Sequence, residues 1–209
     1  MTDISHRISA VTRTVGKRTL AAGEARVVTV SRSYPDPIED VWDACTTAER
    51  ITRWLMPVSG ELRLGGRYQL ENHACGVIES CDPPRSFSAT WEYGDDVSWI
   101  ELRLQSEGDG TRFTLEHIAH VDDARWAEFG PGAVGVGWDS MLLGLTMHLE
   151  SDMSITPAEA MEWLVSPEGV RFVTESSTAW CGAAIAAGEE PEAAAAAAKR
   201  TTAAYTATE

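Results

Sequence analysis

Residues 97–121, VSWIELRLQSEGDGTRFTLEHIAHV, contain two segments in which apolar and polar residues alternate, separated by the turn-forming Glu-Gly-Asp-Gly. A period of two is typical of a strand with one buried face, and a short Gly-rich connection joins antiparallel strands. In the second segment Phe113, Leu115 and His117 share one face. The stretch therefore predicts an antiparallel hairpin that carries one histidine on a mostly apolar face.

The strand pattern extends toward the N-terminus. Residues 60–72 (GELRLGGRYQLEN) and 75–94 (CGVIESCDPPRSFSATWEYG) alternate in the same way and are separated by Gly- and Pro-containing turns. Phe87, Ala89 and Trp91 share a face there. From about Val11 to Ser33 the pattern is again strand-like and is broken by the turn AAGE, which predicts a first hairpin.

Helical patterns occur at two places in this body. Pro37, followed by Glu39 and Asp40, is typical of a helix start, and Thr46 or Thr47 is suited to cap a second short helix toward Trp54. A long helix follows the glycines of GPGAVGVG (residues 130–137), and apolar residues recur along it at spacings of three and four: Trp138, Met141, Leu142, Leu145 and Leu149.

The predicted element order is a strand pair, two short helices, a strand meander and a long helix. This is an α+β plan with an antiparallel sheet. Gly130, Gly132 and Gly135 fit the dinucleotide spacing G-x-G-x-x-G, but that motif requires alternating strands and helices with a parallel sheet. We therefore expect the glycine segment to be a loop that enters the helix and to bind no nucleotide.

Composition narrows the function classes. The 209 residues include 32 acidic and 17 basic residues, a net charge of -15 that repels nucleic acid and anionic lipid surfaces. The four cysteines form no C-x-x-C pair, so we expect buried thiols rather than a metal or redox site. Cysteine usage and the lack of a signal-peptide or membrane-spanning run predict a cytoplasmic protein without membrane insertion. No residue spacing indicates a metal site, and we expect no cofactor.

Five segments in this order resemble a known family: residues 37–57 (PIEDVWDACTTAERITRWLMP), 65–71 (GGRYQLE), 76–93 (GVIESCDPPRSFSATWEY), 111–120 (TRFTLEHIAH) and 135–150 (GVGWDSMLLGLTMHLE). Over roughly residues 15–150 the chain resembles the activator-of-heat-shock-protein-ATPase branch of the SRPBCC (START-like) superfamily. The resemblance implies a helix-grip fold, in which a curved antiparallel sheet wraps around the long helix and an apolar cavity between them holds a small ligand.

Residues 151–209 extend beyond this resemblance and are rich in Ala. Thr156-Pro157 and Ser166-Pro167 are typical helix starts, and a third helix is predicted after Gly188. Large aromatic residues occur along the segment, at Trp163, Phe172, Trp180 and Tyr205. We expect residues 1–150 to form the helix-grip domain and residues 151–209 to pack as a helical extension on it or on a second subunit of a homodimer, with a disordered linker as the alternative.

The cavity implied by the resemblance would be lined from the apolar face of the sheet, the long helix and the second short helix. The candidate ligand-binding residues are Trp54, Phe87, Trp91, Phe113, Leu115, His117, Trp138, Met141, Leu142 and Leu145. His117 is either a core histidine or the polar contact for a ligand. Each Trp is an ordinary core aromatic unless the cavity exposes it.

Other polar residues are weaker candidates. His117 and His120 form H-x-x-H, but positions i and i+3 of a strand face opposite sides and cannot share a metal. We expect His73 and His148 to be solvent-exposed. Arg67 and Arg103 suit an acidic ligand or a solvated strand equally well, and Glu116, Asp122 and Asp123 are expected at a solvated edge and turn.

Three functions remain open. The first is binding of a small hydrophobic or amphipathic molecule between sheet and helix. The second is a polyketide cyclase or aromatase that uses the same cavity and needs a histidine or carboxylate inside it, although no catalytic residue stands out. The third, suggested by the family name, is a chaperone ATPase cofactor that acts through its outer surface.

Overall fold

The computed structural model describes residues 4–151 and 153–207 of the chain. Within these residues the strands are β1 (Thr12–Leu20), β2 (Gly23–Tyr34), β3 (Val58–Gly60), β4 (Arg67–Leu70), β5 (Cys75–Asp82), β6 (Ser86–Tyr93), β7 (Asp96–Glu107) and β8 (Gly110–Ala119). The helices are α1 (Ile4–Ser9), α2 (Ile38–Thr46), α3 (Ala48–Trp54), α4 (Asp123–Phe129), α5 (Gly132–Ser151), α6 (Pro157–Leu164), α7 (Pro167–Ala186) and α8 (Pro191–Thr206).

All eight strands belong to one sheet with the order β1-β2-β8-β7-β6-β5-β4-β3. The pairs from β3 to β8 are antiparallel. The sheet, the long helix α5 and the added Ala-rich helices confirm the predicted α+β, helix-grip class.

The chain forms two compact units. The first comprises Met1–Val30, His120–Leu142 and Ala158–Glu209, and the second comprises Ser31–Ala119 and Leu143–Pro157. Because the first unit draws residues from three separate parts of the chain, the hairpin β1–β2, the start of α5 and the C-terminal helices fold with one another.

In the second unit, helices α2 and α3 pack with strands and with the C-terminal half of α5. Val41 and Ala44 of α2 are fully buried. A Cβ atom on Gly144 of α5 would lie 2.4 Å from the carbonyl oxygen of Trp54 in α3. Only glycine allows this close approach of the two helices. The helix α3 begins after Thr47 as predicted, although the Thr47 hydroxyl bonds the Asp43 carboxylate at 2.6 Å instead of capping the helix.

In the first unit, the C-terminal helices begin where the sequence predicts. The Ser166 hydroxyl accepts a hydrogen bond from the Gly169 amide at 3.2 Å and caps α7, with Pro167 in the first turn. The Glu190 carboxylate caps α8 by accepting from the Glu192 and Ala193 amides. Helix α7 buries Phe172, Val173 and Trp180 at 1%, 0% and 1% exposure.

The glycine segment was predicted to be a loop, but most of it is helical in the structure. Helix α5 already begins at Gly132, so only a short turn separates it from α4. Gly130 ends α4 with φ of 60°, a conformation that favours glycine. A Cβ atom on Gly135 would lie 2.3 Å from the Trp180 ring. The third glycine of the motif is therefore required by packing against α7, and the absence of nucleotide binding stays a prediction.

Two short helices and the exposure of one cysteine differ from the predictions. Helices α1 and α4 were not predicted; Asp122, expected in a solvated turn, accepts from the Arg125 amide at 2.9 Å and caps α4. Cys45 is buried as expected, whereas Cys81 of β5 is exposed, which corrects its predicted burial. Among the described residues, none of the helices combines the length and apolar character needed to cross a membrane.

Candidate functional site

The candidate site begins with the cross-strand rows on one face of the second unit's sheet. Ala89 of β6 pairs with Ile100 of β7, which pairs with His117 of β8. In the next row Trp91 pairs with Ser98. Because the side chains on these rows point to one face, the three strands place an apolar surface around one imidazole. All five residues are buried, with exposures from 0% to 8%.

His117 is held by a hydrogen-bonded pair within this face. Its Nε2 lies 2.9 Å from the Ser98 hydroxyl. The Ser98 hydroxyl donates its only hydrogen to the Trp91 carbonyl at 3.0 Å. Ser98 must then accept from His117, which places the proton on Nε2 and makes Nδ1 the acceptor nitrogen of the neutral ring.

Burial keeps this imidazole uncharged, lowering the pKa of His117 to about 4. The unfolded chain takes up a proton near pH 6.5, whereas the folded chain does so near pH 4, so stability falls as the pH drops through this window. We expect His117→Phe to remove a pH slope of up to about 1.4 kcal/mol per unit from the free energy of unfolding. Urea titrations between pH 4 and 7 measure this; an unchanged slope would contradict the neutral buried state.

An aromatic cluster leads from this pair to the exposed end of β6. The ring of His73 lies 5.7 Å from that of Trp91 and 5.1 Å from that of Tyr93, and Trp91 lies 6.4 Å from His117. Partial burial lowers the pKa of His73 below its usual value. Tyr93 is 58% exposed, so the cluster connects solvent to the buried histidine. His73 is exposed as expected, but it packs on two rings.

Other predicted residues lie elsewhere in the second unit. The ring of Phe87 packs against Trp42 at 6.2 Å, and that of Phe113 against Tyr34 at 6.2 Å. Leu115 pairs with Leu102 in the register of β8 and β7. Leu145 of α5 is fully buried.

Four further predicted residues lie on helices α3 and α5. Trp54 is half-buried and donates its indole N–H to the Ala44 carbonyl at 2.9 Å, which ties α3 to α2. Trp138 and Leu142 are buried and Met141 is half-buried, and these three belong to the first unit. Their part in ligand binding stays a prediction from the sequence.

The remaining polar candidates form hydrogen bonds or ion pairs with other residues of the chain. His148 is 3% exposed, which corrects its predicted exposure, and its Nε2 accepts a hydrogen bond from the Arg50 guanidinium at 3.2 Å. Arg67 pairs with Glu92 at 2.6 Å, and Arg103 pairs with Glu101 at 2.5 Å. Neither arginine is an open anion site. His120 is exposed, with Nδ1 3.1 Å from the Glu24 carbonyl.

A buried polar cluster that the sequence analysis missed lies in the first unit. Oδ2 of Asp139 in α5 accepts from Arg13 Nε at 2.9 Å, from the Ser176 hydroxyl at 2.5 Å and from Trp180 Nε1 at 3.1 Å. Burial raises the pKa of Asp139, and the Arg13 charge opposes that shift. In the sequence the cluster is visible only as one acidic residue within the otherwise mostly apolar helix α5. Across the described residues, no group of three or more His, Cys, Asp and Glu side chains could hold a metal ion.

Known proteins resemble this chain in sequence and fold. The family model described as "Activator of Hsp90 ATPase homolog 1-like protein" matches residues 36–150. The crystal structure of CalU16 from Micromonospora echinospora is 36% identical, with a TM-score of 0.68 over 83% of this chain and 98% of CalU16. The solution NMR structure of CalU16 is 38% identical, with a TM-score of 0.72 over 86% of this chain and 97% of CalU16.

A more distant structure shares the fold alone. Protein MLL2253 from Mesorhizobium loti is 24% identical, with a TM-score of 0.54 over 60% of this chain and 97% of its own. No curated protein matches the sequence. The similarity to CalU16 covers more of the chain than the family model, so it includes part of the sequence outside residues 36–150. By the extent of the family match, the chain belongs to the Activator of Hsp90 ATPase homolog 1-like family.

Proposed function

We propose that the chain binds a small, uncharged, mostly apolar molecule on the β6–β8 face of the second unit. The observation that carries the proposal is the neutral His117–Ser98 pair, buried on a face that is otherwise apolar. A few positioned polar groups within apolar walls are typical of small-molecule sites. Trp91 and Ile100 provide apolar area, and the His117–Ser98 pair provides the polar groups beside it.

Electrostatics favour an uncharged ligand. His117 is neutral at pH 7, and its row neighbours Ala89, Ile100 and Trp91 carry no charge. The nearby arginines are already paired with carboxylates on the other face. None of the row neighbours of His117 carries a positive charge that would offset the desolvation of a buried anion, and the net charge of -15 would also repel it.

Nile red, a neutral apolar dye, tests the site. Ala89 is fully buried in the row that contains His117, so Ala89→Trp should fill the face and weaken dye binding at least tenfold. Arg103→Trp adds the same side chain on the opposite, exposed face and should change binding less than twofold. Circular dichroism checks the fold of both variants. Equal binding by both would refute the proposal.

His117→Phe then distinguishes binding from catalysis. For a ligand with one hydroxyl group, loss of one hydrogen bond should weaken affinity by about 0.5–1.5 kcal/mol. A cyclase that uses His117 in proton transfer would instead lose about 10²–10⁴-fold in rate. A chaperone cofactor that acts through its outer surface would show neither effect. If the wild-type chain, Ala89→Trp and His117→Phe all stimulate an Hsp90 ATPase equally, the chaperone function would be favoured over ligand binding.

A further inference from the structure

A cavity of about 250 Å³ lies within the first unit, between α4, α7, α8 and the turn that leads into α5. Its walls are mostly apolar and include Trp126, Phe129, Trp180, Ala184, Ala194 and Ala197. The alanines of α7 and α8 leave this space because their side chains end at Cβ. The Ala-rich composition of α7 and α8 therefore accounts for the space between these helices.

Ser177 of α7 is a polar group in this wall that the fold does not satisfy. It is 1% exposed, and its hydroxyl has no hydrogen-bond partner within the described part of the chain. A helical serine commonly donates to the carbonyl four positions earlier, and Ser140 in α5 does so to Val136. A buried hydroxyl without a partner lowers stability. Because Ser177 is one of the residues that line the cavity, a molecule bound there is the nearest candidate partner for this hydroxyl.

Charged residues at the rim limit the chemistry of that partner. The Arg26 guanidinium lies 4.6 Å over the Trp126 ring and pairs with Asp123 at 3.0 Å. The Trp126 indole N–H donates to Glu189 at 2.8 Å. Two carboxylates therefore neutralise the one guanidinium and leave a negative excess. The rim disfavours an anion, and the turn with Gly130 and Gly132 lines a cavity too small for a dinucleotide.

We propose that this cavity is a second binding site, which takes a neutral molecule of one or two fused rings with a single hydroxyl or carbonyl group, held by Ser177. The volume lies between the roughly 150 Å³ of a cavity that binds benzene and the about 300–1,000 Å³ of sites for drug-sized ligands. The walls provide apolar area, and Ser177 can donate to or accept from the one polar group. The site goes beyond the β6–β8 face, since all its residues belong to the first unit.

Cysteine alkylation in the wild-type chain tests occupancy. Cys181 lines the cavity, whereas Cys81 is exposed in the second unit. With 1-naphthol as the probe, iodoacetamide should label Cys181 at least fivefold more slowly and Cys81 at an unchanged rate, as read by peptide mass spectrometry. Equal labelling of Cys181 with and without saturating 1-naphthol would overturn the proposal. Because Ala89→Trp alters the other site only, protection of Cys181 should persist in that variant.

Substitutions test the role of Ser177. Ser177→Ala should weaken 1-naphthol about two- to tenfold and leave 1-methylnaphthalene, which lacks the hydroxyl, within twofold. The same variant should raise the unfolding midpoint of the free protein, because it removes an unsatisfied buried hydroxyl. Ala194→Leu should fill the cavity and abolish protection of Cys181 by both probes. Equal weakening of both probes by Ser177→Ala, or a lower unfolding midpoint, would assign Ser177 a purely structural role and refute its part in the site.

Discussion

Removal of residues 151–209 is expected to unfold the first unit rather than to release an inert tail. Phe172, Val173 and Trp180 of α7 are almost fully buried. Burial of each such side chain contributes roughly 1.5–3 kcal/mol. Their sum approaches the about 5–15 kcal/mol of net stability of a typical domain. We therefore expect the chain that ends at Glu150 to lose most of its free energy of unfolding, measured by urea titration with circular dichroism.

Because the deletion removes 59 residues at once, two single substitutions in α7 test the role of its buried face in the full-length chain. Phe172→Ala creates a cavity at a residue that is 1% exposed and should cost about 3–5 kcal/mol. Ile185→Ala alters a residue that is 39% exposed and should stay within roughly 0.5 kcal/mol. Rapid tryptic cleavage at Arg171 and Lys199 that leaves an equally stable remainder would show that the helices are not part of the fold.

The elements that the sequence predicts well are those with a local signal. Alternation over residues 97–121 predicts β7 and β8 because one face of each strand is buried in the sheet. Ser166-Pro167 predicts the start of α7 because a hydroxyl cap and a fixed φ act on the adjacent turn. Helix α4 was missed because its seven residues bury only Trp126, which gives no helical period to detect.

The sequence predicts which face of the sheet His117 lies on, but not which residue forms a hydrogen bond with it. His117 was predicted on the face of Phe113 and Leu115, and the structure buries all three. Its contact with Ser98 depends on the register of two strands, and alternation alone does not fix register. His148 was predicted to be exposed, but the structure buries it. Its guanidinium partner Arg50 is 98 positions away in the chain.

The same limit applies to Asp139, which the sequence analysis did not single out and whose charged partner is distant in the chain. Arg13 lies 126 positions earlier, on β1. Helix α7 supplies the remaining donors, Ser176 and Trp180. A buried carboxylate needs such donors to offset its desolvation. One side chain therefore links β1, α5 and α7 in the first unit, and its loss should affect all three.

Arg13→Met is expected to destabilise the protein by about 3–5 kcal/mol at pH 7, because it leaves the Asp139 carboxylate buried without a counter-charge. The side chains of Arg13 and Asp139 are 6% and 1% exposed, so water cannot replace the lost partner. As a control, Lys17→Met breaks the pair with Glu24, whose side chains are 55% and 59% exposed, and should cost less than about 1 kcal/mol. Urea titrations of the two variants compare these values directly.

The pH dependence of stability and a double variant show whether Arg13 stabilises the protein through its charge or through packing. The pKa of Asp139 is higher in the folded chain than its value of 3.8 in the unfolded chain. Ionisation of Asp139 therefore lowers the free energy of unfolding as the pH rises above 3.8. Loss of Arg13 raises that pKa further, so the deficit of Arg13→Met should be largest at neutral pH and shrink in acid. Adding Asp139→Asn removes the charge but keeps an oxygen for Ser176 and Trp180, so the double variant should recover most of the loss at pH 7. A deficit that is independent of pH, with no recovery in the double variant, would show that Arg13 acts through packing alone.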